Sequence, residues 1–201
     1  MTDEYRGRGR RATIAERRER RAQIDDPVVV LEAAARFLEP RARSVVEVRR
    51  RLTGAGYRMD LVETSIERMV ELGMLDDAAF ARSWVESRDR ARPRGERALR
   101  QELAQKGIDR AIVDGLFDQR RDASTARDAA GLVLSADQAR AEHLLARHMR
   151  AISRVADPRQ RRQRAYALLA RNGFDAEICR TVAVGLESAD VQRDGQAEDD
   201  G

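Results

Sequence analysis

The sequence is poor in the residues that cross-link chains, break helices or build aromatic cores. Among its 201 residues it has one cysteine and four prolines, and 4% of the residues are aromatic. A single cysteine excludes a disulfide framework and a cysteine-based zinc site. An all-β fold is disfavoured, because it needs β-branched and aromatic strands joined by frequent turn residues. We therefore predict an all-α fold with an aliphatic, alanine-rich core.

Long hydrophobic runs are also missing. The longest apolar stretch, residues 28–35, is interrupted by Glu32, and the N-terminus is charged rather than apolar. A membrane span needs about 20 apolar residues, and a signal peptide needs a hydrophobic centre. We expect a monomeric cytoplasmic protein without a membrane partner.

The motifs of common enzyme classes are absent as well. There is no P-loop, no G-x-S-x-G and no H-E-x-x-H in the sequence. The two histidines, His143 and His148, are five residues apart rather than four, and Cys179 lies among apolar neighbours, as is typical of a buried thiol. We predict that the protein is not an enzyme and has no catalytic residue, metal site or cofactor.

Arginine is what the sequence has in abundance. Lys106 is the only lysine among 39 basic residues, and the formal net charge is +4. Residues 1–26 combine many charges with almost no apolar periodicity, and residues 188–201 form an acidic end. We predict that the first segment is a basic, mostly disordered extension and the second an acidic disordered tail.

One pattern occurs three times between these ends. A leucine is followed four residues later by glycine and then by an apolar residue, at 52–57, 103–108 and 169–174. A Pro-Arg pair lies 10 to 12 residues before each leucine, and an apolar pair follows each glycine by five and six residues. A frame that recurs in this way indicates tandem structural repeats.

Each repeat is predicted to contain three helices. In the first, Asp26 and Pro27 suit a helix start, Ser44 and Glu47 a capping box, and Gly56 a left-handed helix end. A three-helix unit buries little surface alone, so we expect the repeats to stack into an elongated array that can curve. The predicted repeats are 27–75, 76–118 and 137–187, with a linker or insertion at 119–136.

Positive charge recurs with the repeat. Residues 41–58 hold six arginines and one acid, 82–106 eight basic residues and four acids, and 140–164 eight arginines and two acids. Arginines at a helix start oppose the helix dipole, which indicates an anionic partner. The alternative is a solvated face whose arginines pair with the acidic third helix of a repeat. The candidate contact residues are Arg41, Arg43, Arg50, Arg94, Arg97, Arg100, Arg159, Arg161, Arg162 and Arg164.

Three segments resemble the RecX family. Residues 73–81, GMLDDAAFA, are similar to the G-x-L-[DN]-D-x-x-[FY]-A signature of that family. The block at 93–108 resembles its next motif, and RNGF at 171–174 resembles its third-repeat motif. The resemblance covers about 27–187, and the almost lysine-free composition resembles an actinobacterial member. The long N-terminal extension and the expanded 119–136 segment depart from the family pattern.

The resemblance implies three tandem three-helix repeats and a regulator of the RecA recombinase in homologous recombination, DNA repair and the SOS response. It implies binding in the groove of the RecA–single-stranded DNA filament and inhibition of RecA ATP hydrolysis and strand exchange. For some members it also implies direct DNA binding. Two other classes stay open: a non-specific DNA-binding helical-repeat protein, and a scaffold that binds an acidic protein without nucleic acid.

Overall fold

The computed structural model describes residues 12–129 and 135–197, which form helices and no strands. This confirms the predicted all-α class. Within these ranges no helix has both the length and the apolar content needed to cross a membrane. The helices are α1 (Ile14–Ala22), α2 (Pro27–Leu38), α3 (Val45–Ala55), α4 (Met59–Glu71), α5 (Asp77–Ala91), α6 (Glu96–Gln105), α7 (Arg110–Ala129), α8 (Ala136–Ile152), α9 (Pro158–Arg171) and α10 (Ala176–Ala197).

The chain divides into two compact units, Met1–Asp76 and Asp77–Gly201. The first unit contains α1–α4, and its core lies between α2, α3 and α4. The buried residues include Val30, Val48, Leu52, Val62 and Met69. They recur at helical spacing, so each of these three helices contributes one apolar face to the same core.

The helix starts of the first unit follow the predicted chemistry. The Asp26 carboxylate accepts from the Val28 N–H at 2.8 Å, with Pro27 at the first helical position. Ser44 and Glu47 form a capping box in which both hydrogen bonds are present. These caps satisfy backbone donors that a helix start otherwise leaves unpaired. The predicted starts of α2 and α3 are therefore confirmed.

The sequence pattern that occurs three times forms the same type of turn each time. Gly56, Gly107 and Gly173 have φ values of 103°, 77° and 83°, the left-handed region that favours glycine. After each glycine, the N–H of the apolar residue donates to the carbonyl of the pattern's leucine. These hydrogen bonds are Tyr57 to Leu52 at 3.3 Å, Ile108 to Leu103 at 3.1 Å and Phe174 to Leu169 at 3.3 Å. The turn ends the middle helix and sends the chain into the third one.

The second unit contains two cores of the same kind. One lies among α5, α6 and α7 and includes Phe80, Leu99 and Leu103. The other lies among α8, α9 and α10 and includes Leu145 and Leu169. Each core belongs to one three-helix group.

The two helix groups of the second unit meet through a close backbone contact. Gly95 donates its N–H to the Asn172 carbonyl at 3.0 Å, and a Cβ on Gly95 would lie 2.2 Å from the Gly173 carbonyl oxygen. A second connection is made by Asp89 of α5, which pairs with Arg120 of α7 at 2.8 Å and with Arg140 of α8 at 3.3 Å. The glycines and this ion-pair network fix how the two groups pack.

One helix lies within the segment predicted to be a mostly disordered extension. Residues Ile14–Ala22 form α1. Thr13 and Glu16 cap α1, and Arg21 donates to the Ala55 carbonyl at 3.2 Å while lying over the Tyr57 ring. Docking through an arginine side chain needs no apolar stripe, which is why hydropathy did not reveal it.

Two other helices enter segments that were predicted as a linker and a tail. Helix α7 continues through the first part of the predicted linker to Ala129, and α10 continues through most of the predicted acidic tail to Ala197. Residues 1–11, 130–134 and 198–201 lie outside the described residues. The predicted limits of the repeats remain predictions.

We expect Gly95→Ala to destabilise the second unit by more than about 2 kcal/mol, because its Cβ would collide with backbone that cannot move aside. Gly115→Ala is the matched control. Gly115 lies within α7, and a Cβ there meets nothing within 4 Å. The control should stabilise the protein by about 0.5–1 kcal/mol, because alanine favours helix interiors. Thermal unfolding followed by circular dichroism compares the two, and equal stability would contradict the close contact.

Candidate interaction surface

The ten candidate arginines divide into two groups by exposure. Five side chains are exposed and five are half-buried. The exposed group is Arg41, Arg50, Arg97, Arg159 and Arg164, and the half-buried group is Arg43, Arg94, Arg100, Arg161 and Arg162. The exposed group is the more accessible to a partner.

In the first unit the three candidates have different surroundings. Arg41 pairs with Glu47 at 3.3 Å, and Arg43 lies over the Phe37 ring at 4.3 Å from its centroid. Arg50, on α3, is exposed. Arg43 therefore supports the local packing through a cation–π contact, whereas Arg50 extends into solvent.

In the second unit, Arg94 and Arg97 connect the two helix groups. Arg94 donates to the Asn172 side-chain oxygen at 3.0 Å, and Arg97 donates to the Ala170 carbonyl at 3.3 Å. The Pro-Arg turn of the second repeat is thus placed against the end of the third repeat's middle helix. These two arginines have a structural role in addition to any role in binding.

The candidates of the third repeat lie around the start of α9. The Arg159 N–H donates to the Asp157 carboxylate at 2.9 Å, which caps the helix, while its side chain is exposed. Arg164 is exposed one turn further on. Arg161 and Arg162 are half-buried beside Met149 and Ile152. Arg159 and Arg164 are therefore the accessible cations of this group.

One ion pair occurs at equivalent positions of two repeats. Arg49 and Arg100 each lie three residues before the pattern's leucine, and their partners Glu63 and Asp114 each lie seven residues after its glycine. The Arg49 and Glu63 groups form two hydrogen bonds, at 2.6 and 2.8 Å, and Arg100 binds Asp114 and Glu96. Arginines of a middle helix thus do pair with the acidic third helix, as the alternative interpretation expected.

These pairs shift the acidity of their carboxyl groups. The hydrogen bonds from Arg49 hold the pKa of Glu63 below its ordinary value, and those from Arg100 do the same to the pKa of Asp114. In the third repeat the corresponding positions are Tyr166 and Arg180. The third repeat therefore has a different surface at this point.

A second set of interactions surrounds the only tryptophan. The Trp84 ring lies between Arg88, at 4.4 Å from the centroid, and Lys106, at 4.9 Å. Its indole N–H donates to Glu102 at 2.8 Å, and Glu102 also accepts from Arg88 at 2.7 Å. These contacts occupy the indole and stabilise the second repeat, so Trp84 is not an open platform for stacking bases.

An exposed basic stripe along α8 contains none of the ten candidate arginines predicted from the sequence. His143, Arg147 and Arg150 follow at i, i+4 and i+7 along α8, and Arg154 comes just after its end; all four are exposed. Arg147 also donates to the Ala91 carbonyl at 2.6 Å. Helical periodicity of the basic residues, rather than of the apolar ones, is the signal that could have found this stripe.

Comparison with protein families gives two matches, both in the second unit. Residues 76–115 match the family model described as RecX, second three-helix domain, and residues 136–182 match the one described as RecX, third three-helix domain. Both regions contain the glycine turn described above.

Relatives align over most of the chain. The protein named Regulatory protein RecX of Mycobacterium avium is 30% identical over 158 residues, covering 79% of this chain and 84% of the relative. The protein of the same name from Thermobifida fusca is 33% identical over 186 residues, covering 84% and 91%. The relatives therefore extend across both units.

The fold also occurs in solved structures. The crystal structure of RecX from Lactobacillus salivarius superposes with a TM-score of 0.66 at 20% identity, covering 81% of this chain and 97% of that one. A second crystal structure, of regulatory protein RecX, superposes with a TM-score of 0.61 at 18% identity. These likenesses concern the fold.

The Arg49–Glu63 pair makes the stability of the first unit sensitive to acid. Because the pKa of Glu63 is lowered, the pair stabilises the fold above the ordinary pKa of 4.5, and this contribution is lost as the pH falls through the lowered value. Both side chains are partly exposed, so we expect Glu63→Gln to cost about 1 kcal/mol or less at pH 7. Urea unfolding of both proteins at pH 7 and pH 3 should show the difference shrinking in acid. If the difference in unfolding free energy is the same at both pH values, it does not arise from the Arg49–Glu63 ion pair.

Proposed function

The chain belongs to the RecX family, and from this premise we propose that it regulates the RecA recombinase by binding the RecA–single-stranded DNA filament. Relatives that align over most of the chain carry the name regulatory protein. In this proposal the protein slows RecA ATP hydrolysis and strand exchange and thereby regulates recombination and DNA repair. It acts through binding and not through a catalytic step.

The exposed arginines carry this proposal. Arg50 lies in the first repeat, Arg97 in the second, and Arg159 and Arg164 in the third, each on a middle helix or at its start. Arginine keeps its charge at any physiological pH and forms forked hydrogen bonds with carboxylate and phosphate groups. Each repeat thus has at least one exposed cation on or beside its middle helix, which suits a partner that presents many anionic groups.

A filament is such a partner. Its subunits and the phosphates of its DNA repeat along one axis, so several weak contacts can form together. Once one contact is made, the others form within the same complex, and affinity rises through effective concentration. Binding that favours one filament conformation over another shifts the population toward the favoured one. In this proposal the favoured conformation hydrolyses ATP slowly.

Direct DNA binding is the second candidate function, and the basic stripe on α8 favours it. Arg147 and Arg150 lie about 4.5 Å apart along the helix axis, given a rise of 1.5 Å per residue, and Arg154 follows just after the end of the helix. The arginines of the stripe present positive charge along one line, as a phosphate backbone requires. It lies outside the candidate arginines, so the two candidate functions can be tested separately. A scaffold for an acidic protein would bind without any nucleic acid.

Charge reversal of exposed candidates tests the recombinase proposal. We expect Arg50→Glu, Arg159→Glu and Arg164→Glu combined to abolish inhibition of RecA ATPase on single-stranded DNA, because repulsion replaces three attractive contacts. The matched control reverses Arg68, Arg82 and Arg110, which are exposed and outside the candidate set. It carries the same net charge and should inhibit as the unaltered protein does. If the first variant still inhibits RecA and its helical circular dichroism is unchanged, these arginines do not mediate the inhibition.

Neutralising the stripe tests direct DNA binding. We expect Arg150→Gln and Arg154→Gln combined to weaken binding to single-stranded DNA without RecA. Each lost phosphate contact should reduce the slope of log affinity against log salt concentration by about 0.7. Fluorescence anisotropy at several salt concentrations measures both quantities. A slope equal to that of the unaltered protein would show that these arginines do not contact phosphates.

A further inference from the structure

A cavity of about 700 Å³ lies in the second unit, between the helix groups α5–α7 and α8–α10. It is open to solvent on one side and lined by residues of α6, α7, α8, α9 and α10. Its volume falls in the range of small-molecule sites, about 300–1,000 Å³.

Three helices begin at the wall of this cavity. The first residues of α6, α8 and α10 are Glu96, Ala136 and Ala176, and all three line it. A helix start carries a partial positive charge, so each of the three favours an anion in the cavity. Two helix groups placed together, and not one helix alone, produce this convergence.

Arginines line the same cavity from several helices. They are Arg97, Arg100, Arg120, Arg121 and Arg140. The carboxylates among the lining residues are fewer: Glu96, Asp137 and Asp175. Together with the helix starts, this lining presents more positive than negative charge to the interior.

Acidic side chains hold several of the arginines in place. Asp89 pairs with Arg120 and Arg140, and Asp114 pairs with Arg100, yet neither acid lines the cavity. Of the lining acids, Asp137 pairs with Arg140, and Asp175 accepts from the Glu177 N–H at 2.8 Å to cap α10. Each guanidinium has five N–H donors and uses only some of them in these pairs. The ion pairs thus orient the arginines before a ligand arrives.

One wall of the cavity is less polar. Tyr166, Ala170 and Ile178 are half-buried there and contribute a ring and two aliphatic side chains. Tyr166 stands where the other repeats have the paired Arg49 and Arg100, so this wall is particular to the third repeat. A ring-containing ligand would find a stacking partner in Tyr166.

We propose that this cavity binds a phosphorylated ligand of nucleotide size, with the phosphate toward the arginines and helix starts and the ring toward Tyr166. The proposal goes beyond regulation of the recombinase and does not rest on it. Two kinds of molecule carry such a phosphate: a free nucleotide, and a DNA strand that ends in a 5′-phosphate. The ligand would join the two helix groups, because both contribute to its site.

Calorimetric titration of the full chain with AMP, ATP and inorganic phosphate, without RecA or DNA, tests the proposal. We expect saturable binding of a nucleotide that Arg97→Gln with Arg121→Gln weakens about tenfold or more, as loss of hydrogen bonds to a charged group predicts. The control combines Arg82→Gln and Arg110→Gln, two exposed arginines outside the cavity lining with the same total charge change. It should bind as the unaltered protein does.

Ala176→Trp provides a second variant that leaves the charge unchanged. Ala176 is exposed in the first turn of α10 and lines the cavity, so a large ring there should fill the space with little cost to the fold. We expect this variant to lose nucleotide binding while its helical circular dichroism and thermal midpoint stay close to those of the unaltered protein. Undiminished binding would place the ligand elsewhere and overturn the proposal.

Oligonucleotides separate the two sources of the phosphate. If a strand end is the ligand, a single strand with a 5′-phosphate will bind more tightly than the same strand with a 5′-hydroxyl, and Ala176→Trp will remove the difference. If a free nucleotide is the ligand, AMP or ATP will bind and the two strands will behave alike. If neither nucleotides nor the 5′-phosphate shows binding that depends on the cavity, the proposal is wrong, whatever the effect of the protein on RecA.

Discussion

Each middle helix ends in the same glycine turn, and the packing of the third helix follows from it. A glycine in the left-handed conformation allows the following apolar residue to donate its N–H to the leucine carbonyl, five residues earlier. This hydrogen bond reverses the chain so that the third helix covers the core formed by the first two. In the third repeat the same turn has a second consequence, since Gly173 lies against Gly95 and Ala98 of the preceding repeat.

That close approach decides much of the chemistry in the second unit. Where the two glycine backbones touch, the starts of α6, α8 and α10 come to one cavity, and arginines from three helices surround it. Asp89 is half-buried and pairs with both Arg120 and Arg140, which joins the two helix groups. Burial raises the pKa of Asp89, and the charge and hydrogen bond of Arg120 oppose this rise. Structure and proposed binding thus rest on the same few contacts.

Some arginines stabilise the fold, and others are free to contact a partner at the surface. Arg49 and Arg100 are held by carboxylates of the neighbouring helix, Arg43 lies over an aromatic ring, and Arg94 joins two repeats. Arg50, Arg159 and Arg164 extend into solvent. Counting all the basic residues of a repeat therefore overestimates the positive charge that an anionic partner can reach. It also hides the α8 stripe, whose members are spaced by helical periodicity instead of by the Pro-Arg frame.

The helical class, the caps at Asp26 and Ser44 and the three glycine turns could be predicted from the residues alone, because each depends on residues close together along the chain. Family membership was also readable from local motifs such as residues 73–81. Only the folded chain reveals the docking of α1 through Arg21, the pairing of Arg49 with Glu63, the contact of Gly95 with Gly173 and the cavity beside them. These features join residues that are distant along the chain, and an arginine has the same local pattern whether it pairs within the fold or extends into solvent.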